Sequence, residues 1–85
     1  MIKNFGKFDQ YDLPEDHPEK FLQTRMNAKF WRNEQGQDWY QLVRENTLED
    51  VTWATVTDEG LLHSVENEMD RIVPNNFTVV AFDRY

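Results

Sequence analysis

The sequence predicts a small α+β domain: an antiparallel sheet of three to four strands with one short helix packed on a face. Three observations predict it. The run "VTWATVT" from Val51 is rich in β-branched residues and returns through "DEG" into "LLHSVEN", the pattern of a hairpin whose turn has a glycine free to adopt positive φ. A second β-rich run, "FTVVAFD", follows from Phe77 to about Asp83. Upstream of both, Asp38 precedes Trp39, Leu42 and Val43, a helix-start residue ahead of apolar side chains at i, i+3 and i+4.

Size and composition agree with one such domain. A chain of 85 residues with 39% hydrophobic residues buries only somewhat more than about 60% of the surface its unfolded form exposes. Aromatic residues make up 14% of it, and each buries on the order of 150–250 Å², so a few large side chains supply most of a thin core.

Taken in order, residues 1–27 read as an extended N-terminal lead and 28–85 as the domain. Two of the three prolines, Pro14 and Pro18, fall in "DLPEDHPEK" and push the residues before them away from helix. The lead's aromatics, Phe5, Phe8, Tyr11 and Phe21, give it side chains with which to dock. "AKFWR" is then a short strand candidate and "NEQGQ" a turn. At Asp38, with Gln41 three residues on, the spacing is that of a capping box, in which two side chains satisfy each other's orphan backbone donors. The helix that follows turns Trp39 to the core, and Tyr40, about 100° round the axis, to the surface. After the hairpin, Pro74 in "MDRIVPNN" bars a central strand there.

Charge and residue types narrow the function classes. With 16 acidic and 9 basic residues the formal net charge is −7, which repels a phosphate backbone and counts against direct nucleic-acid or anionic-membrane binding. No run approaches the roughly 18–20 apolar residues of a spanning helix, and the N-terminus lacks the apolar stretch of a signal peptide, so the chain reads as soluble and not exported. Cysteine is absent, removing disulfides, thiolate nucleophiles and zinc thiolates.

The search for catalytic groups ends without a candidate. His17 and His63 stand far apart with no metal-ligand spacing around them, and the expectation is no metal and no cofactor. The pairs Glu49 with Asp50 and Asp58 with Glu59, and the group Glu66, Glu68 and Asp70, fall in turns or at strand ends, where solvation keeps them ionised. Gly6, Gly36 and Gly60 are too scattered for a phosphate loop. What remains is binding. Trp31, Trp39, Tyr40 and Trp53 surround the helix–sheet region, and Trp and Tyr are enriched in interface hot spots. Tyr40 and Trp31 are the candidate partner-binding residues.

The order of Asp38-Trp39-Tyr40, a β-rich run opening after "LED", the turn Asp58-Glu59-Gly60 entering an apolar strand, and "IVPNNFTVVAFD" resembles the N-terminal domain of tail-fibre assembly proteins of tailed bacteriophages and prophages. The opener "NFGK", Asn4 to Lys7, is similar to that family's start. The resemblance implies a chaperone-like or fibre-tip-binding accessory without an enzymatic reaction, whose partner is the phage tail-fibre protein. It implies action in the cytoplasm of the bacterial host during assembly, with retention on the virion in some relatives. The chain departs from the family in two places. "EDVTWATV" lacks an Asp-Thr pair and puts Trp53 in the strand, and the helical segment expected to engage the fibre would fall beyond Tyr85, which points to a truncated, remnant or free-standing form. A reading of another class stays open beside it: a small acidic phage protein acting as a DNA mimic that inhibits a host nucleic-acid-binding protein. That role needs carboxylates spaced like phosphates along one face, and the acids here cluster at turns and strand ends.

Overall fold

Period-2 alternation organises the sheet. In β4 (Val51–Val56), Val51, Trp53 and Thr55 point to one face and Thr52, Ala54 and Val56 to the other. β6 (Thr78–Asp83) lies antiparallel beside it, with Trp53 opposite Ala81 and Thr55 opposite Val79. On the other side of β4 lies β5 (Leu62–Glu66), also antiparallel, and β1 (Lys3–Lys7) pairs with the far side of β6, giving the order β1-β6-β4-β5. This computed structural model describes residues 3–84. The architecture is the α+β arrangement that the sequence predicts, with the sheet at the upper end of the expected strand number.

The hairpin closes through the glycine singled out in the sequence. Gly60 has φ +84°, Gly60 N–H donates to the Thr57 carbonyl at 2.9 Å, and Thr57 N–H donates to the Leu61 carbonyl at 2.8 Å. Because β5 and β6 both run antiparallel to β4 from opposite sides, the chain between them must cross β4. It does so on the core face, where the 3₁₀ turn Met69–Arg71 and the segment after it add buried Met69 and Ile72 to the cluster around Trp53. Pro74 lies in this crossing, outside any strand, and its carbonyl accepts from Phe77 N–H at 2.7 Å.

The helix α2 (Trp39–Glu45) starts at Asp38, whose extended backbone and side-chain bond to the Gln41 N–H at 3.1 Å make it the N-cap. Only half of the expected capping box forms: the Gln41 side chain reaches forward to Glu45, one turn on, and not back to Asp38. Trp39 is 2% exposed and meets Phe8 edge-on at 5.1 Å between centroids, while Leu42 and Val43 pack on the same cluster. The helix therefore packs on the sheet through the predicted face.

The N-terminal region differs from an extended, irregular lead. Residues 3–7 form an integral strand, Phe5 and Phe8 are buried in the core, and Phe8 N–H donates to the Phe77 carbonyl at 3.1 Å. A two-residue strand β2 (Asp9–Gln10) pairs with β3 (Trp31–Arg32), and a short helix α1 (Lys20–Arg25) follows the two prolines. The boundary at residue 27 thus divides one packed unit. "AKFWR" is a strand only at its last two residues, because its partner β2 is only two residues long.

Candidate functional site

β3 and α2 bring three aromatic side chains to one side of the molecule. Trp31 and Trp39 line an open groove of about 320 Å³ together with Tyr40, Val43, Asp70, Ile72 and Val73. Val73 is 59% exposed and Tyr40 38%. A groove lined by buried indoles and by exposed apolar side chains offers surface for burial by a partner.

Tyr40 belongs to more than this groove. Its ring also borders a polar depression of about 120 Å³ with Tyr11, His17, Asp38 and Arg44, and an apolar one of about 160 Å³ with Leu22, Ala28 and Phe30. It is held as the ridge between them: its hydroxyl donates to the Lys29 carbonyl at 3.0 Å, and its ring stands edge-on to Phe30 at 5.3 Å and tilted to Trp31 at 6.3 Å. An aromatic fixed at one end and half exposed at the other loses little rotamer freedom on binding. Burial of the ring, together with the nearby Asp38 carboxylate, raises the Tyr40 pKa above its ordinary value.

Trp31 requires a correction. It is 8% exposed and part of the core cluster, so it is not the surface residue that the sequence suggests. The cause is register: pairing of Gln10 with Trp31 and of Asp9 with Arg32 turns the indole inward and Arg32 outward, where its guanidinium lies 4.7 Å from the centre of the Tyr11 ring. The buried Trp31 indole N–H finds no acceptor among the described residues. Trp31 lines the groove, and of the two sequence candidates Tyr40 alone presents an exposed side chain.

Some of the bonds that tie the elements around the groove together were passed over by sequence reasoning. Asn33, 5% exposed, ties the N-terminal strand to the turn before α2: its Nδ2 donates to the Phe5 carbonyl at 2.9 Å and to Gln37 Oε1 at 2.8 Å, while its Oδ1 accepts from Gln37 N–H at 2.9 Å. Asp38 holds two elements at once, with Oδ1 on the helix N-terminus and Oδ2 accepting the Tyr11 hydroxyl at 2.5 Å. Desolvation first, and then this bond to a carboxylate, push the Tyr11 pKa well above the ordinary tyrosine range. The signal for Asp38 was in the sequence as a cap. No local pattern marks its bond to Tyr11, 27 positions away.

The two histidines are not brought together. His17 lies beside the N-terminal segment with Nδ1 accepting from Glu19 N–H at 3.0 Å, whereas His63 sits on β5, stacked on Phe77 at 4.0 Å. Asp58 pairs with Lys7 at 3.0 Å on the surface. Among the described residues no three His, Asp or Glu side chains are grouped to hold a metal ion, and no helix is long and apolar enough to cross a membrane. The chain matches no protein-family model and no curated protein.

Proposed function

We propose that this domain is a tail-fibre assembly accessory of a phage or prophage, acting without chemistry of its own, and that it holds an apolar segment of the fibre protein against the ridge made by Tyr40. The observation that carries the binding role is the groove beside Tyr40, lined by buried indoles and by exposed Val73. The fibre as partner rests on the resemblance of Asp38–Tyr40, the Asp58–Gly60 turn and the Ile72–Asp83 segment to the tail-fibre assembly family.

Apolar contact of this kind keeps its strength when exposed charges are screened, because the Debye length falls from about 10 Å at 0.1 M salt to about 3 Å at 1 M while burial is unaffected or strengthened. Co-expression with a tail-fibre tip fragment, followed by purification through about half-molar salt, tests the reading. The complex is expected to survive. Dissociation at that salt, with recovery of binding to a basic nucleic-acid-binding protein at low salt, would favour the DNA mimic instead.

A further inference from the structure

The two edges of the four-stranded sheet are treated differently by the rest of the chain. At the β1 edge, Asn33 Nδ2 occupies the Phe5 carbonyl at 2.9 Å, Asn4 Oδ1 takes the Gly6 N–H at 2.8 Å, and a register shift between Asn4 and Gly6 breaks the ladder. Those are the devices by which proteins close a sheet edge against further pairing. At the β5 edge, no loop or side chain among the described residues hydrogen-bonds the backbone of Ser64–Glu66 from outside the sheet. The bulge at His63, where Ser64 and Leu62 pair with the consecutive residues Thr55 and Val56, leaves Ser64–Glu66 as the stretch with regular register.

We propose that the β5 edge receives an extended segment of another protein as a fifth strand, pairing on Ser64–Glu66, and that this segment alternates apolar residues with Lys or Arg. The side chains along β5 specify that pattern. Val65, 50% exposed, ends a cross-strand row whose other members, Ala54 and Val80, are buried, and Leu62, 64% exposed, extends the same apolar margin. An incoming strand must place apolar side chains beside these. Ser64 and Glu66 point to the opposite face, so the intervening positions of that strand stand beside a carboxylate. From Asp58 to Arg71 the chain has the acids Asp58, Glu59, Glu66, Glu68 and Asp70 against the single base Arg71, which favours Lys or Arg there and disfavours a second copy of this acidic edge. The site is separate from the Tyr40 groove and stands or falls without it.

The test uses the full chain and a short peptide alternating valine or threonine with lysine, together with the same peptide N-methylated through its centre. The methylated form has the same charge but lacks the backbone donors. Binding of the first peptide, at least tenfold weaker binding of the second, a tenfold loss in Val65→Lys or Leu62→Lys with unchanged melting, and slowed hydrogen exchange within Ser64–Glu66 are expected. Tyr40→Ala leaves this binding unchanged, which separates it from the groove. Equal binding of the two peptides would reduce the interaction to charge and overturn the proposal. So would the absence of binding, or a dimer of the chain that Val65→Lys dissolves, since a second copy would then own the edge.

Discussion

Trp39 is the residue on which helix, sheet and N-terminal strand converge, since it caps the apolar face of α2 and meets Phe8 from the strand side. Its role was legible because two local signals agreed, the cap at Asp38 and the i, i+3, i+4 spacing. Trp39→Ala is expected to cost about 3–5 kcal/mol, a large part of the roughly 5–15 kcal/mol that holds a domain together. A melting temperature within a few degrees of wild type would contradict the core role. Trp31 was not legible in the same way, because only its pairing with Gln10 decides which way its side chain faces, and a two-residue strand leaves no period to read. Tyr11 makes a different prediction. Its pKa is raised in the folded protein, so the folded state keeps the phenol proton where the unfolded chain, titrating near about 10, gives it up. The stabilising contribution is therefore complete below pH of about 10 and is lost as pH rises beyond it. Tyr11→Phe removes that contribution: denaturant titrations at about pH 8 and about pH 11 should show a smaller alkaline loss in the variant than in wild type, beside a uniform loss of about 1 kcal/mol for the missing hydrogen bond. Identical alkaline slopes would contradict the Tyr11–Asp38 assignment.

Among the elements, the hairpin β4–β5 and the helix α2 were readable from short stretches, since each has its own turn or cap chemistry. β1 was not. Its partner β6 lies more than seventy positions away, its ladder is interrupted at Gly6, and the two prolines downstream dominate the local pattern. Long-range pairing leaves no local signature, so the N-terminal segment reads as a lead although it closes the sheet. Hydrogen exchange measures the difference directly. The Phe8 and Tyr11 amides, bonded to the Phe77 carbonyl at 3.1 Å and the Phe30 carbonyl at 2.9 Å, are expected to exchange on the timescale of the β4 amides, near the global unfolding limit. Exchange within the dead time of the experiment would return residues 3–11 to the status of a loosely attached arm.

For the whole molecule, the proposed function rests on a surface, and no three His, Asp or Glu side chains among the described residues are grouped to hold a metal ion. Melting is accordingly expected to be unchanged by a chelator and by added zinc, magnesium or nucleotide, since a ligand that binds the folded state alone would raise it. Ligand-dependent stabilisation would point to a site of another kind. The groove was only partly foreseen: Tyr40 follows from the helix, but Ile72 and Val73 come from the chain that crosses the sheet, and no pattern in their neighbourhood announces that they meet α2. The central claim is that the Tyr40 ridge holds the partner. Titration calorimetry of wild type and Tyr40→Ala against a tail-fibre tip fragment in about half-molar salt measures it most directly. The account predicts at least a tenfold loss of affinity, about 1.4 kcal/mol, with the melting temperature of the variant retained; equal affinities for the two proteins would contradict it.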